Sequence, residues 1–202
     1  FTDETNEAWA VIIIKDITVE KNNQKIIESL HEEMVHSANH DYLTGILNRR
    51  GFMQNLEKEL MRCSREENKL GIALIDIDCF KKVNDIYGHI EGDLILNHIA
   101  IKLKECLRPY DIMGRFGGDE FIFCLPNIDF ESAKQIGERL RTHIIKNPYQ
   151  RANDNIPLTI SVGIKVATFK SEEKIDANQL VTSVDQLLYK AKRKRNSVYV
   201  SE

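Results

Sequence analysis

The sequence is poor in the features that mark secreted and membrane-spanning proteins. It holds four cysteines in 202 residues, Cys63, Cys79, Cys106 and Cys124. Their scatter fits neither a disulfide framework nor a metal-ligand spacing, which suits a reducing cytoplasm. The longest wholly apolar run, Ala8 to Ile14, stops at Lys15, far short of the ~20 residues that span a bilayer. It also lacks the flanks and cleavage site of a signal peptide. No basic excess is present: 28 Lys and Arg face 31 Asp and Glu, for a net charge of −3, which argues against a nucleic-acid partner. There is no internal repeat or low-complexity segment, and no direct membrane contact is expected of this stretch. An initiator Met is missing too, so the chain reads as a piece of a longer protein whose own membrane attachment stays open. What is present is globular, with 42% hydrophobic and 29% charged residues. The length allows one domain with a sizeable core plus appendages.

Residues 8–18 (AWAVIIIKDIT) read as one β-strand rich in β-branched side chains. A helix follows from Asp16 or Thr18, either of which can cap it, to about His40. Its Ile27, Leu30 and Met34 keep the 3–4 spacing of a coiled-coil seam. Asn23 and Ser37 interrupt that seam, and a helix packed back on its own domain is the alternative. His36 and His40 stand four apart and read as exposed helix positions. From Asp41 the pattern predicts a helix at 49–66, a strand at 70–78, a helix at 91–107 and a hairpin at 111–126. A helix at 130–146, a strand at 158–167, a helix at 177–193 and a strand at 197–200 follow. The order β-α-β-β-α-β implies an α+β fold, a ferredoxin-like or palm-like, mostly antiparallel sheet with helices on one face.

Two acidic features carry chemistry. Asp76 and Asp78, at i and i+2, project from one face of a strand end. The segment CFKKVND that follows starts a helix, whose free N–H groups, with Lys81 and Lys82 nearby, favour an anion such as phosphate. Two carboxylates ~4 Å apart repel by about 4 kcal/mol at an effective dielectric of 20. A hard divalent ion removes that repulsion and bridges carboxylates to nucleotide phosphates. A strand end whose acids merely cap the next helix gives the same pattern. The second feature is Arg115-Phe-Gly-Gly-Asp-Glu-Phe121, where Gly117-Gly118 predicts a two-residue hairpin turn. Without Cβ atoms, those glycines let a ligand's phosphates approach the backbone. If this hairpin pairs beside the 70–78 strand, Asp119 can share a metal with Asp76.

These residues resemble the GGDEF family of diguanylate cyclases, which join two GTP into cyclic di-GMP. The resemblance covers about residues 41–202 and four motifs in order. FGGDEF at 116–121 is the family signature, and Asp41-Tyr-Leu-Thr-Gly-Ile-Leu-Asn-Arg-Arg50 is similar to its opening segment. Asp76-Ile-Asp-Cys-Phe-Lys-Lys-Val-Asn-Asp85, with Tyr87-Gly-His89 and Glu91-Gly-Asp93, is similar to its DxDxFKxxND…GHxxGD segment. Tyr189-Lys-Ala-Lys-Arg-Lys-Arg-Asn196 resembles YxAKxxGRN, but the Gly is missing and the run is one residue shorter.

The resemblance implies roles. Asp76, the main-chain carbonyl of Ile77 and Asp119 would hold Mg²⁺, with Mn²⁺ as the alternative. Asn84 and Asp93 would read the guanine edge, and His89 falls on a substrate-binding position. Lys81, with the N–H groups of Cys79 and Phe80, would stabilise the transferring phosphate beside Gly117 and Gly118. Asp119 or Glu120 would assist deprotonation of the 3′-hydroxyl. Lys192 is expected to contact phosphate; Arg195 less so, because one residue turns a helical side chain by about 100°. A surface basic patch would give the same run. Arg108-Pro-Tyr-Asp111 has the spacing of the family's inhibitory RxxD site, which binds the cyclic product, with Arg139 contributing; a local salt bridge is the alternative.

One sheet supplies one GTP site, so the resemblance implies a homodimer for catalysis. Residues 1–17 resemble the tail of a PAS sensor domain, 18–40 a signalling helix and 41–202 the catalytic domain. Two rivals remain: a module that binds nucleotide without turnover, and a cyclase for an adenine-containing dinucleotide, against which Asp93 argues.

Overall fold

The computed structural model describes residues 16, 18–152, 154–169 and 176–202. The strand expected at 8–18 and the PAS-like tail at 1–17 fall outside the described residues, apart from Asp16 and Thr18. The chain divides into two units, one ending at His36 and one running from Ser37 to Glu202. Helix α1 (Thr18–Asn39) takes Thr18 as its first helical residue rather than as a cap before it. Ile27, Leu30 and Met34, the expected seam, are each more than half exposed.

The second unit is built on a six-stranded sheet. Its elements are β1 (Leu47–Asn48), α2 (Arg49–Glu66), β2 (Lys69–Ile77), α3 (Phe80–Tyr87), α4 (His89–Lys104), β3 (Ile112–Gly117) and β4 (Glu120–Pro126). Then come α5 (Phe130–Lys146), β5 (Tyr149–Arg151), β6 (Asp154–Ile156), β7 (Ile160–Thr168), α6 (Ala177–Lys194) and β8 (Val198–Ser201). The strand order is β1-β3-β4-β2-β7-β8. Its central β3-β4-β2-β7 is antiparallel throughout, the ferredoxin-like arrangement. β1 and β8 extend it as parallel edge strands.

β2 is the central strand, and its alternation divides the core. Ala73, Ile75 and Ile77 face one cluster, with Ile95 and Ile99 of α4 and Leu140 of α5. Leu70, Ile72 and Leu74 face the other, with Phe52 and Leu56 of α2 and Val184 and Leu188 of α6. Helices therefore cover both faces, not one. A strand buried on both sides loses the polar alternation of a half-exposed one and reads as a near-continuous apolar run.

Three further features differ from expectation. The helical stretch expected at 91–107 is α4, which starts earlier at His89 and ends earlier at Lys104. It is set off from α3, the helix expected to start at CFKKVND, by Gly88, whose φ of 86° suits glycine. The hairpin turn is Gly118-Asp119, since Gly117 still pairs with Glu120. Phe116 bulges out of register before it, so the turn starts one residue late. The β5–β6 hairpin was not foreseen, because YQR and DNI carry neither alternation nor β-branched runs that mark strands. Among the described residues no helix is long and apolar enough to cross a membrane, and all four cysteines are free.

Close packing of α6 on β7 depends on Gly163. A Cβ there would lie 2.3 Å from the Leu188 nitrogen and 2.8 Å from the Leu187 carbonyl carbon, backbone atoms that cannot rotate away. Gly163→Ala is expected to destabilise the protein by about 3 kcal/mol, at the upper end of the usual overpacking range. Urea unfolding measures this, and a loss below about 1 kcal/mol would mean that α6 retreats freely.

Candidate active site

The carboxylates gather through strand register. Asp76 continues the Leu70-Ile72-Leu74 face of β2 and lies directly opposite Glu120 on β4. Like charges directly opposed across a ladder repel. Asp119 follows Gly118 in the turn, and its carbonyl accepts the Ile77 N–H at 3.4 Å. This fastens the turn to the end of β2, so the expected meeting of the two segments occurs. Asp76 is only 9% exposed. Burial, reinforced by the charges of Asp119 and Glu120, pushes its carboxyl up to about 6, despite the opposing pull of Lys192.

Lys192, from the last turn of α6, places its ammonium 2.7 Å from Asp76 and 3.1 Å from Glu120. Those acids hold the Lys192 ammonium above its ordinary range, although burial alone would lower it. Arg195 does not sit on the helix at all. It is the α6 cap, with φ of 57°, and is exposed; the expected rotation of one residue is replaced by an exit from the helix. Asn196, also at positive φ, follows it, so two side-chain-bearing residues take the left-handed backbone where the related segment has a glycine.

Asp78 has a different task from Asp76. It accepts the Thr159 hydroxyl at 2.7 Å, the Ser161 hydroxyl at 2.6 Å and the Asn196 N–H at 2.8 Å. It ties β2 to β7 and to the α6–β8 connection, as a structural strand-end acid does. Cys79, next in sequence, adopts φ of 59° and opens α3 without a side-chain cap. The first-turn N–H groups of α3 thus have no side chain satisfying them, and they start beside the carboxylates. Phe80 is buried, anchoring the helix start, and Lys81 is exposed.

His89 and Asp93 lie exposed on the first turns of α4, and Asn84 on α3 is partly buried. The α3–α4 corner is braced from outside by the unforeseen hairpin. Arg151 of β5 pairs with Glu91 at 3.2 Å and lies 5.4 Å over the Tyr87 ring. A Cβ on Gly117 would meet nothing within 4 Å. The fold's own packing therefore does not require a glycine there.

Arg115 was not singled out from sequence, yet it staples the hairpin. Its guanidinium donates to the Gly118 carbonyl at 2.9 and 2.8 Å and to both Asp41 oxygens at 3.1 Å. Burial alone would raise Asp41, but Thr44 and Arg115 together hold it below the usual carboxylate range. The opening motif is largely scaffold: Asn48 caps α2 by accepting the Gly51 N–H at 2.9 Å. Only the pairing of a motif Asp with a motif Arg could have signalled this.

At the RxxD segment, Asp111 accepts the Arg108 backbone N–H at 2.8 Å. The Arg108 guanidinium donates instead to the Tyr110 hydroxyl at 3.0 Å. Arg139 reaches the Cys106 carbonyl at 2.7 Å. A cleft of ≈ 360 Å³ adjoins the segment, lined in part by Lys104, Leu107, Arg108, Asp111 and Met113.

Among the described residues no three acidic, His or Cys side chains form a closed metal cage. The donors do suit a hard cation shared with phosphate. Such ions are held by one or two carboxylates, with substrate completing the shell, and an ammonium already bridges Asp76 and Glu120.

A sequence profile described as "Diguanylate cyclase, GGDEF domain" matches residues 38–197. The chain is 38% identical over 173 residues to diguanylate cyclase DgcP of Pseudomonas aeruginosa, covering 86% of this chain but 25% of DgcP. It also resembles the crystal structure of diguanylate cyclase SiaD with its activator SiaC from P. aeruginosa, with TM-score 0.76 and 31% identity, over 91% of this chain and 69% of SiaD. The GGDEF domain of DgcB from Caulobacter crescentus, solved with c-di-GMP, superposes with TM-score 0.73 and 27% identity, over 81% of this chain and 95% of that one.

Because Asp76 is harder to ionise folded than unfolded, its ionisation costs stability as pH rises from about 4 through about 6. A cation that needs the ionised carboxylate reverses that cost and must displace the proton at lower pH. Saturating Mn²⁺ is therefore expected to raise the melting midpoint more at pH 7.5 than at pH 5, and not at all in Asp76→Asn. A gain of equal size at both pH values would refute the assignment.

Proposed function

Since the chain belongs to the GGDEF-domain family of diguanylate cyclases, we propose that it condenses two molecules of GTP into cyclic di-GMP with release of pyrophosphate. The observation that carries this reading is the convergence of Asp76, Asp119 and Glu120 beside the open N-terminus of α3. A structural hairpin has no use for three neighbouring acids, two of them paired with one half-buried lysine.

Asp76, Asp119 and the Ile77 carbonyl would hold a divalent cation, Mg²⁺ first and Mn²⁺ by the same oxygen chemistry. When bound, such an ion neutralises charge on the phosphate being transferred. The rest is done by the chain itself. The N–H groups of Cys79 and Phe80, with Lys81, receive the triphosphate, which lies close to the backbone at Gly117 and Gly118. Asn84 and Asp93 read the guanine edge, where a carboxylate accepts the N1–H and N2–H that adenine does not offer, and His89 lies alongside. Lys192 turns from the acids to the phosphates once the carboxylate charge is otherwise matched; Arg195, off the helix, sits near enough in sequence to assist. Asp119 or Glu120 takes the proton of the attacking 3′-hydroxyl.

One domain presents one such cradle. The second GTP comes on a second copy facing the first, so that an encounter becomes an effectively intramolecular step. Helix α1, with its exposed Ile27, Leu30 and Met34, would set how often two copies face each other, under a PAS-like sensor upstream. A cytoplasmic location fits a GTP substrate and reduced thiols. Product feedback is read at Arg108, Asp111 and Arg139. The guanidinium of Arg108 is turned to Tyr110 rather than locked to Asp111, which leaves both able to meet a guanine. That DgcB was solved with c-di-GMP supports the product class.

Incubated with GTP and Mg²⁺, the chain should form cyclic di-GMP with a specific activity that rises with protein concentration. Asp119→Asn should cut the rate by about 100-fold or more, the usual scale for losing a group acting in the transition state. Retained nucleotide binding without product at any concentration would instead identify a nucleotide sensor.

For feedback, Arg108→Ala should leave the initial rate within about twofold and abolish the slowing seen as product accumulates. Identical progress curves for variant and parent would remove the product site from this reading while leaving the cyclase intact.

A further inference from the structure

Gly92 sits inside α4, one residue before Asp93, and is buried. Its backbone is helical, with no positive φ, so conformation does not require glycine there, and glycine weakens a helix interior. Space is what excludes a side chain. A Cβ on Gly92 would lie 1.9 Å from Asn84 Oδ1 and 3.0 Å from Asn84 Cγ; the next neighbour, Phe80 Cζ, is at an ordinary 3.4 Å. The clash is with one group, the Asn84 amide.

That amide is otherwise unheld at its oxygen: Asn84 Oδ1 is buried with no hydrogen-bond partner. A buried, unbonded acceptor is costly and uncommon, and here it rests in the space left by the missing Cβ. The backbone on both sides is tied: the Gly88 N–H donates to the Asn84 carbonyl at 2.8 Å and the Gly92 N–H to the Gly88 carbonyl at 3.1 Å. Asn84 and Gly92 thus belong to one short hydrogen-bonded relay across the α3–α4 corner, which keeps the Asn84 amide against the open space at Gly92.

We propose that Gly92 is a positioning residue for the substrate base: its missing side chain is the seat that holds the Asn84 amide in the orientation in which it reads guanine. This rests on the reading of Asn84 as a guanine contact. Gly92 itself touches no substrate and acts only through Asn84.

A double-mutant cycle tests it. Binding of a non-cleavable α,β-methylene GTP analogue with Mg²⁺ is measured by calorimetry for the parent chain, Gly92→Ala, Asn84→Ala and the double variant, with melting midpoints alongside. The seat predicts that Gly92→Ala weakens binding by about tenfold in the parent and by less than about twofold in the Asn84→Ala background. Asn84→Ala should also recover most of any melting loss caused by Gly92→Ala, since truncation removes the clash. Equal weakening in both backgrounds would show that Gly92 serves α4 packing alone and would overturn the proposal, as would undiminished binding by Gly92→Ala. If Gly92→Ala fails to fold while the double variant folds, the seat is supported; if neither folds, it is refuted. Asn84→Ala binding as tightly as the parent would overturn the guanine contact and the seat with it. No binding by the parent chain would overturn the cyclase reading itself.

Discussion

The forced proximity of carboxylates at the end of β2 is the constraint on which the site depends. Antiparallel pairing of β2 with β4 sets Asp76 opposite Glu120, and the tight turn brings Asp119 alongside. Slipping the register by one residue would send these side chains to the other face, so the hydrophobic alternation of β2 and β4 also fixes the acids. Core packing therefore maintains an electrostatically unfavourable arrangement. Burial raises the proton affinity of Asp76, and the ammonium of Lys192 is the chain's own partial answer. Such an arrangement is stable enough to persist and is relieved further by added positive charge.

Around that core of charge, neighbouring motif residues divide their labour sharply. Asp76 and Asp78 differ by two positions, yet one faces Lys192 and the other spends its oxygens on Thr159, Ser161 and Asn196. Arg115 links the first motif to the hairpin through Asp41 and Gly118. Positive φ at Cys79, Gly88, Gly118, Arg195 and Asn196 marks places where the chain changes direction near the site. Each lies where a strand or helix ends or turns within a residue or two.

Much of this was legible in the sequence. The helices at 49–66 and 130–146 match α2 and α5 in their bounds, because Asn48 and Asp129 mark their starts by side-chain capping. β2 stood out through its continuous apolar run. α3 and α4 were both foreshadowed, α3 by the helix start at CFKKVND and α4 by the stretch at 91–107, although the bounds of α4 shift to His89–Lys104. The β5–β6 hairpin was missed because its strands are short and mostly polar, with only the Tyr149–Ile156 pair packed on the core and Arg151 and Tyr149 reaching other elements. The displaced turn followed from the bulge at Phe116, whose ring packs under the Arg49 guanidinium at 4.4 Å, a contact between residues 67 positions apart in the chain.

The sequence by itself determined which chemistry is available: the acids, the glycine-marked turn, the basic end of α6 and the alternation that builds the sheet. All of these depend on residue identity at short spacing, which local physics reads directly. Only the tertiary structure decided which acid meets which cation, that Asp78 is structural, that Arg195 leaves the helix, and that Gly92 makes room for Asn84. Those outcomes depend on distances between segments tens of residues apart, set by strand register and by the close approach of packed helices rather than by any local preference.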